Sequence, residues 1–166
     1  PCRTRHTPGR GEAQRVALLV PIYNEVPSDV FGNAAAMLED LTLGRTRDSF
    51  ALFINSDTQD PDIARLEERA FHSLRATAPA EVPVYYRRRL YNSDKKVGNL
   101  YNFIEGWGGD YDAMVVLDAD SLLSGSAIRR LSHELAAAPG AGLIQSFPVL
   151  IGAKTLFGRI QQFSNA

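Results

Sequence analysis

The feature that most constrains the fold is an alternation of short, uninterrupted apolar runs with segments of helical spacing. The first run covers residues 16–20 and the second covers residues 50–54, and each is followed by apolar residues three or four positions apart. Strands that are apolar throughout, rather than at every second position, are typical of a parallel sheet covered by helices on both faces. The sequence therefore predicts a three-layer α/β domain with a mostly parallel sheet.

The later segments continue this alternation. Asp60-Pro61 indicates a helix start, because aspartate is a good cap and proline suits the first helical position. Residues 1–15 lack apolar periodicity and are interpreted as a flexible leader, which leaves 16–166 as the folded domain. The other predicted strands are 82–86, 113–117 and 142–145, and the other predicted helices are 27–43, 95–107, a helix from Ser124 or Gly125 to 138, and an incomplete helix at 155–163.

Length and composition exclude several classes of protein. The 166 residues fit one domain, and the net charge of −1 lacks the basic surplus of nucleic-acid binders, so we expect no nucleic-acid partner. No apolar stretch approaches the roughly 20 residues that span a bilayer. The only cysteine, Cys2, cannot form an internal disulfide. We expect a soluble chain from a reducing compartment, and Pro1 in place of methionine suggests a piece of a longer protein.

The most specific chemical pattern is Asp118-Ala119-Asp120, which follows the apolar run 113–117. Side chains two apart on a strand project the same way, so two carboxylates at a strand end converge on one small volume. Carboxylates combined with the phosphates of a bound substrate are typical ligands of Mg²⁺ or Mn²⁺. The pattern predicts a metal site formed by Asp118 and Asp120, and a simple turn or helix cap remains the alternative.

Polar residues also follow the first two predicted strands. Tyr23 and Glu25 could stack on a planar base and hydrogen-bond to it, and Asp57 could accept a hydrogen bond from a base or a ribose hydroxyl. An ordinary strand-to-helix turn and a loop cap are the alternatives. Because ligands of open α/β sheets bind beyond the carboxyl ends of the strands, we expect these side chains at one edge of the sheet.

Two basic segments follow the third predicted strand. Arg87-Arg88-Arg89 is interpreted as a solvated face, with an arginine fork for phosphate as the alternative. Lys95-Lys96-Val97-Gly98-Asn99 places a lysine and a glycine near a helix start, which suits a diphosphate because helix N-terminal amides favour anions, and a flexible loop is the alternative. No G-x-G-x-x-G follows the first strand and no P-loop pattern occurs, which argues against a dinucleotide oxidoreductase and a P-loop NTPase.

The order of these motifs resembles the family 2 processive glycosyltransferases with a GT-A fold, the group that contains cellulose, chitin and hyaluronan synthases. The similarity rests on Val-Pro-Ile-Tyr-Asn-Glu, an aspartate after the second strand, Lys-Lys-Val-Gly-Asn-Leu, Val-Val-Leu-Asp-Ala-Asp-Ser and Ile-Gln-Ser-Phe-Pro. Tyr-Tyr-Arg-Arg-Arg, Trp107-Gly108 and Gln161-Gln162-Phe163 are most similar to the enzymes that make the glucose backbone of osmoregulated periplasmic glucans.

This resemblance implies UDP-glucose as donor, Mg²⁺ or Mn²⁺ as cofactor, and inverting transfer to a glucan acceptor by an enzyme at the cytoplasmic face of the bacterial inner membrane. Where the family often has His-Ala-Lys-Ala-Gly-Asn, this chain has Asp94 in place of the histidine. By position, the resemblance implies contacts of Tyr23, Glu25 and Asp57 with the uridine, of Lys96, Gly98 and Asn99 with the uridine diphosphate, of Asp118 with the ribose or the metal, and of Asp120 with the metal.

The resemblance also implies that the domain is truncated at its C-terminus. The family's general base and its Gln-x-x-Arg-Trp motif are expected beyond Ala166, so we expect no catalytic residue in this chain and little or no turnover. Three alternatives remain open: a synthase of the cellulose or chitin type that uses another UDP-sugar, a non-catalytic nucleotide-sugar sensor, and a nucleotidyltransferase. The last would be expected to have a glycine-rich basic loop after the first strand, which residues 21–26 lack.

Overall fold

The computed structural model describes residues 12–138 and 140–145, and its strands and helices alternate in the predicted order. The four strands are β1 (Arg15–Ile22), β2 (Ser49–Ser56), β3 (Val84–Arg88) and β4 (Ala113–Val116). The helices are α1 (Pro27–Thr42), α2 (Pro61–Thr77), α3 (Lys95–Trp107) and α4 (Gly125–Ala137), with a short 3-10 turn, Gly108–Asp110, after α3. Asp60 caps α2 as predicted, because its side chain accepts from the backbone N–H groups of Asp62 and Ile63.

The described strands form one parallel sheet in the order β3-β2-β1-β4. The chain first adds strands on one side of β1 and then returns to place β4 on the other side. Strand order therefore reverses between β1 and β4. In doubly wound sheets such a reversal opens a crevice at the carboxyl ends of the strands, where ligands bind.

Helices cover both faces of the sheet. Leu18, Leu52 and Ile54 belong to a core cluster with residues of α1, α2 and α4, whereas Leu19 and Phe53 pack against Phe103 of α3. Neighbouring residues of one strand thus enter opposite cores, which explains why β1 and β2 are apolar throughout. The predicted three-layer α/β class with a parallel sheet is confirmed.

The predicted strand at 142–145 is wrong. These residues are irregular and pair with none of the described strands, and Leu143 is 81% exposed. A short apolar stretch bounded by glycine fits a loop on the protein surface as well as a strand, so periodicity could not separate the two. The predicted helix at 155–163 lies outside the described residues.

The boundary of the predicted leader also moves. β1 begins at Arg15, and Gln14 before it is buried at 6% exposure. The Gln14 backbone N–H donates to Asp48, and the Ser132 hydroxyl donates to the Gln14 side-chain oxygen. Residues 14 and 15 are therefore part of the domain, and residues 1–11 lie outside the described range. β3 likewise begins and ends two residues later than the predicted strand at 82–86.

Candidate functional site

The carboxyl ends of β1, β2 and β4 border a cleft of about 760 Å³. It lies where strand order reverses, as expected for a ligand site in this type of sheet. Asn92, which the sequence analysis did not single out, is also part of its wall. The cleft brings together most of the predicted site residues: Tyr23, Glu25, Asp57, Lys96, Asp118 and Asp120.

Asp118 and Asp120 lie in a turn and not on a strand. β4 ends at Val116, and the Ser121 backbone N–H donates to the Asp118 carbonyl at 2.9 Å, which closes a reverse turn. The argument from strand alternation is therefore wrong, because the two side chains do not project from an extended backbone. The turn itself places both carboxylates in the wall of the cleft, so the alternative of a turn and the prediction of a site are compatible.

Lys96 lies opposite this turn. Its ammonium group pairs with the Asp118 carboxylate, and the two side chains are 46% and 68% exposed. An exposed pair of this kind contributes only about 0–1 kcal/mol to stability. The pair therefore contributes to the charge of the cleft rather than to folding, since Lys95 and Lys96 line the same cleft as Glu25, Asp57, Asp118 and Asp120.

The donor set of the Asp118–Asp120 turn fits part of a divalent-cation site. In the part of the chain that the structure describes, no group of three or more His, Cys, Asp or Glu side chains could hold a metal ion. Mg²⁺ and its relatives are commonly held by one or two carboxylates, with substrate phosphates and water completing the coordination. Two aspartates suit a cation that arrives with a diphosphate, but they do not form a self-sufficient metal cage.

The loop after β1 is shaped by Asn24. Its φ of 53° is a left-handed conformation, which asparagine tolerates better than most residues. The Asn24 backbone N–H donates to Thr58 Oγ1 at 2.9 Å, and its side-chain oxygen accepts from the Gln59 N–H at 3.2 Å. The neighbouring Tyr23 is 50% exposed and Glu25 is exposed, so both remain available to a ligand. An asparagine two residues after the end of a strand is the pattern that could have identified this role.

Asp57 is buried at 3% exposure and bound by a single arginine. Arg89 donates from Nε to Oδ1 at 2.6 Å and from Nη2 to Oδ2 at 2.7 Å, a bidentate pair. This hydrogen bonding to Asp57 raises the pKa of Arg89. Asp57 is therefore a fixed carboxylate in the wall of the cleft and not a freely rotating loop cap.

The interpretation of Arg87, Arg88 and Arg89 as a solvated face is wrong. Arg88 Nε donates to the Thr58 carbonyl at 3.0 Å. Arg87 donates to the Asn99 side-chain oxygen at 3.0 Å and lies 5.0 Å from the centre of the Trp107 ring, and burial lowers its pKa. The three arginines leave β3 between the β2 loop and α3, which both offer acceptors, and none of them is in the described wall of the cleft.

Gly98 and Asn99 lie behind the cleft rather than in its wall. A Cβ atom at Gly98 would lie 2.1 Å from the Ser93 carbonyl oxygen, so only glycine allows this approach. Asn99 is fully buried, and its Nδ2 donates to the Asn55 carbonyl at 3.0 Å. Asn99 attaches the start of α3 to β2, and Gly98 packs against the turn that precedes α3.

Glu67 is a further residue that the sequence analysis missed. It lies on α2 with no exposed surface and accepts hydrogen bonds from Ser56 at 2.7 Å, Thr58 at 2.5 Å and Tyr86 at 2.8 Å. The network fixes the β2 loop from the helical side. A carboxylate within the apolar stripe of α2, between Ile63 and Leu74, is the pattern that could have revealed it.

The chain is similar to curated bacterial proteins over nine-tenths of its length. It is 48% identical over 150 residues to glucans biosynthesis glucosyltransferase H of Shewanella baltica (strain OS155 / ATCC BAA-1091). It is 47% identical over 150 residues to the proteins of that name from Shewanella sp. (strain ANA-3) and Shewanella oneidensis. The chain matches one region of glucosyltransferase H. It spans only 21% of the length of these relatives, and no protein-family model matches it.

This similarity to glucosyltransferase H confirms the resemblance that the motif order predicts, including the subgroup. The name of these relatives describes a glucosyltransferase of glucan biosynthesis. The matched stretch of 150 residues is 90% of the chain. It is longer than the segment 21–120, which contains the residues that line the cleft. Among the residues that the structure describes, no helix combines the length and the apolar composition that a membrane span requires.

Proposed function

We propose that the chain is the donor-binding part of a membrane glucosyltransferase that makes the glucan backbone of osmoregulated periplasmic glucans. UDP-glucose is the donor, and Mg²⁺ or Mn²⁺ is the cofactor. The observation that carries the proposal is the cleft itself, in which Lys96 and the Asp118–Asp120 turn lie beside the exposed ring of Tyr23. The name of these relatives supports the choice of glucosyl transfer over other reactions of nucleotide sugars.

Under this proposal the uridine, the diphosphate and the cation each have a partner in the cleft. The uracil ring stacks on Tyr23, and Glu25 and Asp57 accept hydrogen bonds from the uridine. The Lys96 ammonium, a compact point charge, binds the diphosphate. Asp118 and Asp120 hold the cation, which when bound neutralises the negative charge that develops on the departing diphosphate.

Inverting transfer also requires a carboxylate that removes the proton of the acceptor hydroxyl. We place this general base beyond Ala166, together with the residues that hold the glucan acceptor. The 166-residue chain then binds the donor but turns over weakly or not at all. The parent protein acts at the cytoplasmic face of the inner membrane, where UDP-glucose is available.

Isothermal titration calorimetry with UDP and UDP-glucose, with and without Mn²⁺, tests the proposal. We expect Mn²⁺-dependent binding by the unmodified chain and a loss of about tenfold or more in Asp120→Ala, as for a charge-assisted contact. Asp62→Ala is the control, because Asp62 is 80% exposed and lies on α2, outside the cleft. Binding of equal strength without the metal in both Asp120→Ala and the unmodified chain would remove Asp120 from the site.

Three further measurements test the other candidate functions. The first is competition among nucleotide sugars. Preference for UDP-N-acetylglucosamine over UDP-glucose would favour another polysaccharide synthase on the same scaffold. Transfer of glucose to a glucan by the 166-residue chain would contradict the placement of the base beyond Ala166. A complete parent protein that binds UDP-glucose and lacks any general base would favour a nucleotide-sugar sensor.

A further inference from the structure

We propose that Arg89 is a positioning residue of the donor cleft, through which one guanidinium sets both the Asp57 carboxylate and the turn that presents Lys96. The inference rests on the proposed function, because it concerns the same cleft. Arg89 is not itself in the cleft wall. It acts through two groups that are.

The first contact of Arg89 is with the loop after β2. Its Nε and Nη2 atoms bind the two oxygens of Asp57 at 2.6 Å and 2.7 Å, and the side chains of Arg89 and Asp57 are 13% and 4% exposed. The pair is therefore largely withdrawn from water, where a bidentate geometry fixes the carboxylate in one orientation. The face of Asp57 that meets a ligand is set by this pair.

The second contact of Arg89 is with the turn before α3. Nη2 also donates to the Ser93 carbonyl at 3.2 Å and to the Lys95 carbonyl at 3.1 Å. Between these carbonyls lie Asp94 with a φ of 55° and Lys95 with a φ of 49°, two consecutive left-handed residues that are not glycine. Such conformations are unfavourable for L-residues and persist where the surroundings hold them. The hydrogen bonds from Arg89 to the Ser93 and Lys95 carbonyls help to stabilise these two conformations.

No helix cap replaces this contact. Asp94 is the N-cap of α3, but its side chain makes no capping hydrogen bond. Lys96 follows the left-handed pair immediately and extends from the first turn of α3 to Asp118. The direction of the Lys96 side chain therefore depends on the turn that Arg89 holds.

Only an arginine suits this position. The four acceptors of Arg89 lie on two separate segments and share the three N–H groups of Nε and Nη2, which a planar guanidinium holds in a fixed fork. A lysine has three donors on one nitrogen and cannot pair with the carboxylate bidentately while it reaches both carbonyls. Arg88, the preceding residue, donates its one side-chain hydrogen bond within the described residues to the Thr58 carbonyl and provides a matched control.

The test compares Mn²⁺-dependent UDP binding by Arg89→Lys and Arg88→Lys in the 166-residue chain, at a temperature where both variants are folded by circular dichroism. We expect the affinity to fall about tenfold in Arg89→Lys, as for the loss of a hydrogen bond to a charged group, and by less than about twofold in Arg88→Lys. Equal affinities of the two variants and the unmodified chain would overturn the inference.

A double-mutant cycle with Lys96→Ala separates positioning from general destabilisation. If Arg89 acts partly through Lys96 and partly through Asp57, the loss of UDP affinity in the combined variant is smaller than the sum of the two single losses, whereas independent effects add. Additive losses in the cycle would overturn this part of the inference. Mere loss of stability would also leave the affinity of the folded fraction unchanged.

Rescue gives a second route if Arg89→Lys folds poorly. Asp94→Gly removes the conformational cost of one left-handed residue, so we expect it to restore part of the UDP affinity in the Arg89→Lys background. Amide hydrogen exchange without any ligand should show faster exchange at Gly98, whose N–H donates to the Asp94 carbonyl, in Arg89→Lys alone. Unchanged exchange there would contradict the inference. If the unmodified chain failed to bind UDP, the proposed function would fall, while the exchange result would still decide whether Arg89 holds the turn.

Discussion

The two sides of the cleft are built in different ways. On the β2–β3 side, Asp57, Thr58 and Glu67 are buried and each is bound by neighbouring side chains or backbone. On the β4 side, Asp118 and Asp120 lie in an exposed turn. The Asp118 side chain pairs with Lys96 across the cleft. One side is held by the fold, and the other is held mainly by its own turn.

This difference indicates what each side can do. Buried, hydrogen-bonded neighbours hold Asp57, the cleft-wall residue of this side, in one fixed arrangement, which suits discrimination by shape and hydrogen bonding. Exposed carboxylates keep their hydration and can exchange a lysine for a metal ion without breaking a core network. The comparison predicts large stability effects on the β2–β3 side and effects mainly on binding on the β4 side.

Glu67→Ala is expected to destabilise the β2–β3 side more than any other substitution considered. It leaves the hydroxyls of Ser56, Thr58 and Tyr86 without their shared acceptor, so we expect a loss of about 3 kcal/mol in the free energy of unfolding. Urea denaturation followed by circular dichroism measures it. Glu68→Ala, an exposed neighbour on the same helix, should change stability by less than about 0.5 kcal/mol. Equal effects of the two variants would show that the network does not stabilise the loop.

Gly98→Ala tests the close packing between the start of α3 and the turn that precedes it. The new Cβ would meet the Ser93 carbonyl oxygen at 2.1 Å, so the start of α3 must shift, and we expect a loss of about 2 kcal/mol. Gly106→Ala on the same helix has no heavy atom within 4 Å of the new Cβ and should stabilise the chain by about 0.5–1 kcal/mol. Thermal unfolding of both variants gives the comparison. A neutral Gly98→Ala would show that Ser93 can move freely.

The architecture was predictable because it depends on local periodicity. Runs such as 50–54 are apolar at every position, and the structure places their residues in cores on both faces of the sheet. The strand at 142–145 failed because four residues carry too little periodicity to separate a strand from a surface segment. Boundaries shifted by one or two residues, as at Arg15, because burial of a neighbouring residue depends on distant partners such as Asp48.

The residues that line the cleft were also largely predictable, but their hydrogen-bond partners were not. Position after a strand placed Tyr23, Asp57 and Asp118 at one edge. That Asp57 is bound by Arg89, 32 residues away, depends on the path of β3 beside β2, which no local pattern encodes. For the same reason three consecutive arginines resembled a solvated face, although each has its own buried or half-buried partner.

The β2–β3 side should also respond to alkaline pH. Burial, together with the hydrogen bond to Glu67, raises the pKa of Tyr86 above its usual value. The folded state then keeps a proton that the unfolded chain loses above about pH 10, so this contribution to stability is full below pH 10 and declines as pH rises above it. Urea denaturation between pH 8 and pH 11 (roughly, the range around the ordinary tyrosine pKa) should show a shallower decline in Tyr86→Phe. Tyr101→Phe, at an exposed position, should retain the steep decline of the unmodified chain.

Lys96→Met is expected to have the smallest effect on stability and to separate the two sides most clearly. The Lys96–Asp118 pair is exposed, so its removal should change the free energy of unfolding by less than about 0.5 kcal/mol. Mn²⁺-dependent UDP affinity should nevertheless fall about tenfold, because the diphosphate loses a charge-assisted contact. Arg65→Met, which breaks the exposed pair with Asp62 on α2, should match Lys96→Met in stability and leave UDP binding unchanged. A loss of stability above about 1 kcal/mol in Lys96→Met would mean that the β4 side is held by the fold as firmly as the β2–β3 side, since exposed pairs rarely contribute that much. The proposed contrast between a fixed nucleoside side and an adaptable metal side would then no longer apply.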